Sequence, residues 1–310
     1  MIGDRNMKKI GVLGLGNIAQ KAYLPVITSL QDTYEWHFCT RNADKRQKLM
    51  RQYGITHGEG NVEELIAQKP AAVFVHTPTA THYQIIKALL ENNINVYVDK
   101  PVSENFEEVE ELYRLAKERQ LILTCGFNRR FVPMNQKLKE LSNKQVIRGT
   151  KIRENGAQET KFAIYDLLIH VVDTVNFLLD EPIESQETTL FTENSNLHQA
   201  IVSLKTKHSL ATAEINLIGG VNEETTSLET KRGLATVENC QNYTLKTPQG
   251  QQKIASPDWQ PTLVTRGFDP LIRQFLAAID GQQANPVSPE SAIESHRICR
   301  DAVRQFEVLK

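Results

Sequence analysis

Gly14-Leu15-Gly16-Asn17-Ile18-Ala19 is the stretch that decides how this chain folds. It comes directly after an apolar run at 10–13 and opens onto a helical pattern, so it joins a strand to a helix. In that setting each small residue answers a physical demand. Gly14 makes the tight turn, Gly16 lets the backbone approach a pyrophosphate, and Ala19 lets the helix pack closely on the strand. The first-turn amides of the helix have no intrahelical acceptor and complete a cradle for phosphate. A glycine-rich turn without a ligand is the competing reading, and the strand–turn–helix context weighs against it.

Outward from this loop, short apolar runs at 10–13, 35–39, 71–76, 95–99 and 121–125 alternate with helical patterns at 42–53, 62–68, 81–92 and 105–119. Residues 71–75 are apolar without alternation, as expected of a strand covered by helices on both faces. Thr81 with Gln84, and Asn105 with Glu108, have the spacing of capping boxes. Pro25 is expected to break the first helix near residues 23–24. Strand–helix alternation of this kind predicts an α/β fold with a doubly wound parallel sheet. After residue 126 the pattern changes. Helical stretches at 131–141 and 165–179 give way to period-two alternation at 197–205, 209–217, 226–231, 235–239 and 243–247, then to closing helices at 270–279 and 289–308. These predict an α+β domain with a large, mostly antiparallel open sheet. The expected division is 1–125 for dinucleotide binding and 126–310 for substrate binding and oligomerisation, and 310 residues suit two domains of roughly 150 each.

The net charge of −1 offers no excess that would draw the chain to nucleic acid or an anionic membrane surface. No apolar run approaches the roughly 20 residues of a membrane span. The opening residues contain no apolar stretch of signal-peptide length, and Met7 is an alternative start that would make the first six residues an extension. Cys39, Cys125, Cys240 and Cys299 form no CxxC pair and read as reduced thiols, so a soluble cytoplasmic protein is expected.

Three further groups bear on chemistry. The second strand ends Cys39-Thr40-Arg41-Asn42, with no acid to bond an adenosine 2′-hydroxyl. Thr40 offers a hydroxyl and Arg41 a guanidinium suited to a 2′-phosphate, so NADP is the preferred cofactor and NAD the second choice. A solvated surface role for Arg41 is the competing reading. Asp99-Lys100-Pro101 closes the strand at 95–98, and a lysine there can donate to a substrate hydroxyl and ease its deprotonation. Asp166, His170 and Asp173 fall at i, i+4 and i+7 and are expected on one helix face. That spacing suits His170 as a proton-transfer group with Asp166 orienting it or the substrate. No metal is expected there, because no Cys or further His lies at ligand spacing.

Together GLGNIA, TPTATH at 77–82, VDKP at 98–101, GFNRRF at 126–131 and the D-x-x-x-H-x-x-D helix at 166–173 resemble the Gfo/Idh/MocA oxidoreductases, nearest to their MviM-like members. The resemblance is close over the N-terminal half and loose over the rest. It implies a Rossmann domain followed by an α/β domain whose open sheet packs on another subunit, giving a dimer or tetramer. It implies NAD(P)-dependent transfer of hydride to or from a sugar, polyol or related hydroxyl or carbonyl compound. By resemblance the catalytic residues are Lys100, Asp166 and His170. From the residues and the resemblance together, the expected cofactor contacts are Gly14, Gly16, Asn17, Ile18, Ala19, Thr40, Arg41, Thr77, Pro78, His82, Asp99 and Lys100, with Asp99 standing where the family usually has Glu.

The departures concern the substrate side. Lys161-Phe-Ala-Ile-Tyr165 replaces a glycine-rich run before Asp166, and Leu168 replaces a glycine. Asn128, Arg129 and Tyr165 are candidates to line the substrate pocket, with core or surface roles as the alternative for each. His76 and His82 are read as structural, although His82 belongs to the recurring motif. A binding-only sensor or regulator with the same fold is the alternative function; the Lys100, Asp166 and His170 set argues against it.

Overall fold

The computed structural model describes residues 7–308. The segment before Met7 lies outside the described residues. The chain divides into two compact units. The first runs to Gly126 and takes back Phe268–Pro289; the second comprises Phe127–Gly267 and the chain from Glu290. The division is therefore not one cut near 125. The helix Phe268–Ile279 belongs to the first unit because its apolar face fills that core: Phe275 lies 5.2 Å from Phe74 and 5.5 Å from Tyr97, ring centre to ring centre.

The first unit holds six parallel strands: β1 (Lys8–Leu13), β2 (Tyr34–Cys39), β3 (His57–Glu59), β4 (Ala72–Val75), β5 (Asn95–Val98) and β6 (Leu123–Cys125). Their spatial order is β3-β2-β1-β4-β5-β6. The order reverses between β1 and β4, and in such sheets ligands lie beyond the carboxyl ends at that reversal. Every residue of β4 is buried, as its unbroken apolar run requires. β3, sequence His-Gly-Glu, has no apolar residue and breaks the pattern by which the other strands of this sheet are recognised. Helices Ala43–Tyr53, Val62–Ala67, His82–Glu91 and Phe106–Glu118 alternate with the strands.

Caps track side-chain reach more than motif spacing. Asn61 accepts from the Glu64 amide at 2.8 Å, and Glu64 accepts from the Gly60 amide and the Asn61 side chain. Asn105 caps through the Glu107 amide, while Glu108 turns to Ser103. Thr81 makes no side-chain cap; its hydroxyl is engaged with Thr77 and the Pro78 carbonyl. Pro25 marks a change in the first helix at residues 23–24, where it was expected, although the backbone stays helical across it. The chain passes through one widened turn at Ala19–Tyr23 and continues as Leu24–Ile27, where Pro25 stands in the first turn and gives up no needed N–H.

The second unit holds β7 (Lys144–Ile152), β8 (Gln158–Glu159), β9 (Ser185–Glu193), β10 (Asn196–Lys205), β11 (Leu210–Asn216), β12 (Glu223–Thr230), β13 (Gly233–Glu238), β14 (Asn242–Thr247) and β15 (Gly250–Ala255). They form one sheet ordered β15-β14-β13-β12-β7-β11-β10-β8, with β9 also paired to β10. All pairs are antiparallel except β7 with β11. Helix Ile169–Leu178 packs on one face. A Cβ at Gly149 of β7 would stand 2.8 Å from Val171 and 3.0 Å from Val175, so glycine is what allows this close approach. Among the described residues no helix is long and apolar enough to cross a membrane.

Candidate active site

The glycine loop has the geometry its sequence implies. Gly14 has φ +93°, and a Cβ there would stand 2.7 Å from the backbone carbonyl carbon of His76 and 2.8 Å from the Thr77 nitrogen. Only glycine fits where the loop meets the end of β4. Gly16 differs: a Cβ there would meet nothing within 4 Å. The loop is thus open at Gly16, with Asn17 and Ile18 exposed and Ala19 fully buried against the strand. A closed loop would have filled that space, so these residues fit a bound dinucleotide phosphate.

Residues from three of the sequence motifs converge around this opening. His82 is buried, with Nδ1 2.8 Å from the Pro101 carbonyl and Nε2 2.9 Å from the Thr77 carbonyl. Burial lowers its pKa, an effect the two carbonyls oppose. His82 therefore ties TPTATH to the DKP turn and keeps no ring nitrogen for a ligand. Thr77 is half-buried and Pro78 exposed at the same strand end. His76 is buried, makes no hydrogen bond through either ring nitrogen among the described residues and stacks on Tyr23 at 3.8 Å. Burial pushes its pKa down to about 3, which leaves a neutral ring serving as packing.

Asp99 and Lys100 are both half-buried at the end of β5, and the Lys100–Pro101 peptide is cis. The Tyr23 hydroxyl donates to Asp99 Oδ1 at 2.8 Å and stands 3.3 Å from the Tyr97 hydroxyl. Burial raises the Asp99 pKa; the Lys100 charge and the Tyr23 bond oppose the rise. Tyr23, two turns past the glycine loop, thereby fixes the aspartate next to the candidate lysine. No motif announces that role.

At the end of β2, Thr40 is half-buried and Arg41 exposed. The acid nearest in register is Glu59, opposite Cys39, and its carboxylate accepts from His37 at 2.8 Å. Arg46 donates to the Thr40 carbonyl at 2.6 Å, which brings a second guanidinium to this strand end. Helical spacing from Asn42 is the sequence signal that could have found it.

In the second unit the helix begins at Thr160, not at 165, capped by the Glu159 carboxylate on the Phe162 amide at 2.8 Å. It then widens to an i→i+5 turn over Ile164–Leu168 before continuing as Ile169–Leu178. A widened turn rotates the downstream residues away from the face that i, i+4, i+7 spacing assigns them. Asp166 and His170 remain half-buried, whereas Asp173 points into the core, 1% exposed, and pairs with Arg130. Asp173 thus does not join the other two on one accessible face. Tyr165 and Leu168 are buried, so the bulky groups that replace glycines here face the interior.

Asn128 and Arg129 are buried too. The Asn128 amide donates to the Arg266 carbonyl at 2.8 Å, which leaves it a structural role. Arg129 makes a two-pronged bond to Glu224 at 2.6 and 3.0 Å, and Lys151 reaches the same carboxylate at 2.7 Å. Burial would raise the Glu224 pKa, but these two cations hold it well below the usual carboxylate range. With Arg153 and Arg266 they line a cleft of about 140 Å³, so Arg129 does face a cavity. Lys151, Glu224 and Arg266 escaped sequence reading because only the β7–β12 register brings Lys151 to Glu224, and Arg266 joins them from a distant part of the chain.

Residues 8–127 match the model of the oxidoreductase family with an NAD-binding Rossmann fold, and residues 133–247 match the YceM-like C-terminal domain. The putative oxidoreductase YceM of Salmonella typhimurium is 32% identical over 305 residues, covering 96% of this chain and 99% of that protein. The chain belongs to the Gfo/Idh/MocA oxidoreductase family. The crystal structure of the MviM dehydrogenase from Clostridium difficile superposes with a TM-score of 0.89 at 30% identity, covering 96% of this chain and 99% of that one. A family relative, the myo-inositol 2-dehydrogenase of Thermotoga maritima, is 26% identical over 193 residues, 57% of this chain and 56% of that protein. Membership places NAD(P) binding on the Rossmann unit and makes the protein an oxidoreductase.

Proposed function

We propose that this oxidoreductase acts on a CH–OH group of a sugar, polyol or similar small molecule and prefers NADP. The observation that carries the reading lies within the first unit: the glycine loop is open at Gly16, and Lys100 lies half-buried at the carboxyl edge of the same sheet. Likeness to a myo-inositol 2-dehydrogenase supports the substrate class. The dinucleotide, when bound, supplies the hydride acceptor or donor. The chain's own groups bind, orient and move the proton. Gly14, Gly16, Asn17, Ile18 and Ala19 hold the pyrophosphate, with Thr77, Pro78 and Asp99 alongside and His82 positioning the loops. In the oxidation direction His170 takes the hydroxyl proton, Lys100 stabilises the developing alkoxide and Asp166 orients His170 or the substrate. Arg129 is retained as a substrate-side residue through its cleft. The four buried free thiols suit a reducing, cytoplasmic setting.

Cofactor preference rests on Thr40 and Arg41, helped by the commitment of Glu59 to His37. Fluorescence titration with NADPH and NADH tests it. Wild-type protein is expected to bind NADPH more tightly, and Arg41→Ala to lose most of that preference, by about 5- to 100-fold, as removal of one charged hydrogen-bonding group to a phosphate implies. An unchanged NADPH/NADH ratio in the variant would refute the assignment.

A homo-oligomer is part of this reading. The open face of the second sheet exposes Phe191, Ile201 and Leu210 at 57%, 39% and 56%, large apolar groups on adjacent strands. Light scattering is expected to return a dimer or tetramer mass; a monomer mass removes the proposal.

A further inference from the structure

Apart from the dinucleotide loop, β2 and β3 build a second cluster of ligating groups. Glu35 and His37 alternate on β2 and share one face, and His57 lies beside His37 in the parallel register. One ligand atom from each of Glu35, His37 and His57 falls within 4.8 Å of the other two. The His37 and His57 rings are stacked, 4.7 Å between centres and 22° apart in plane. His37 Nε2 is 2.8 Å from Glu35 Oε1, near the ligand–ligand separation of a small coordination sphere.

Behind this triplet stands the Glu59 carboxylate, 8% exposed. Its Oε1 is 2.8 Å from His37 Nδ1, and its buried Oε2 has no hydrogen-bond partner among the described residues. Metal-ligating histidines characteristically give their second ring nitrogen to such a carboxylate, which fixes the tautomer and sharpens the basicity of the first. His37 is buried while Glu35 and His57 reach solvent, so the inner ligand is preset and the outer two can close.

We propose that Glu35, His37 and His57 form a binding site for a divalent first-row transition ion of the zinc type, with Glu59 as the carboxylate behind His37. Two imidazoles and one carboxylate favour such an ion over calcium or magnesium, which prefer all-oxygen shells. The charges balance: a dication is matched by Glu35 and Glu59. Three protein ligands leave a fourth position for water or an outside ligand. The ion would clamp the edge strand β3 to β2 and owes nothing to the oxidoreductase reading, since neither Lys100 nor His170 takes part.

Equilibrium dialysis of chelator-stripped full-length protein against buffered Zn²⁺, with metal analysis, tests the site. One Zn²⁺ per chain is expected for wild type. His57→Ala and Glu35→Gln alter side chains that reach solvent and should keep the metal-free melting midpoint while losing the bound ion. Glu59→Gln should weaken binding by about 10- to 100-fold, as loss of an outer carboxylate does elsewhere. In wild type alone, Zn²⁺ should raise the melting midpoint. Failure of wild type to bind Zn²⁺, or binding unchanged in His57→Ala and Glu35→Gln, overturns the proposal. Neither outcome touches the dinucleotide reading, which NADPH titration tests separately.

Discussion

Lys100→Ala is expected to lower kcat by about 10²- to 10⁴-fold, the range by which a positioned proton-transfer group accelerates a reaction. That loss corresponds to about 3–5.5 kcal/mol of barrier. The expectation comes from position. Lys100 follows β5 at the edge where open parallel sheets bind ligands, beside an aspartate that Tyr23 holds in place. His170→Ala is expected to cost a similar factor, and Asp166→Asn less, since the role proposed for it is orientation. If Lys100 and His170 serve one proton transfer, the double variant should fall little below the worse single one, because residues acting as a unit are not additive. The measurement pairs initial rates on an identified substrate with fluorescence titration of NADPH. Lost turnover with retained NADPH affinity places both groups in the chemistry. Near-wild-type turnover in both variants sinks the assignment. If no substrate is turned over by wild type while NADPH still binds, a sensor with this fold becomes the better description.

How much of this was legible in the sequence depended on distance along the chain. The first sheet could be read because nearly every strand is an apolar run and each crossover helix is local to it. β4 is apolar throughout, and the glycine loop packs all its requirements into six adjacent residues. β3 could not be read: of His57, Gly58 and Glu59 only the glutamate is buried, and it is buried against an imidazole. β7 carries no strand signature for a related reason. Two of its buried positions are lysines, Lys144 and Lys151. The Lys144 ammonium reaches Asp180 and the Leu178 carbonyl, and that of Lys151 reaches Glu224. A strand that buries lysines does not look like a strand. β9 is polar at most positions and half-buried at best along its length. The site shows the same division. GLGNIA and DKP are complete in themselves, whereas the widened turn at Ile164–Leu168 leaves no trace in composition, and with it went the true direction of Asp173.

Asp173 carries the second large expectation, and it concerns stability. Arg130 Nε donates to Asp173 Oδ2 at 2.9 Å with a further bond from Nη2 to Oδ1, and Ser295 donates to Oδ1 at 2.9 Å. The two side chains are 5% and 1% exposed, and the guanidinium also lies against the Phe127 and Phe177 rings at 5.5 and 5.8 Å. Burial pushes the Asp173 pKa up, while Arg130 and Ser295 oppose it. An isolated pair in such a place adds little net stability, but removing one partner strands the other charge out of water. Asp173→Ala is therefore expected to destabilise the fold by about 3–5 kcal/mol. Replacing both partners by apolar groups of like size, Arg130→Met with Asp173→Leu, should restore much of that loss. Urea unfolding at constant slope measures both. A catalytic Asp173 would behave otherwise: Asp173→Ala would keep its unfolding midpoint and lose turnover, and the double replacement would be folded and inactive. The core position of its carboxylate, bonded to Arg130 and Ser295 across 43 and 122 residues of chain, makes the first outcome the expected one.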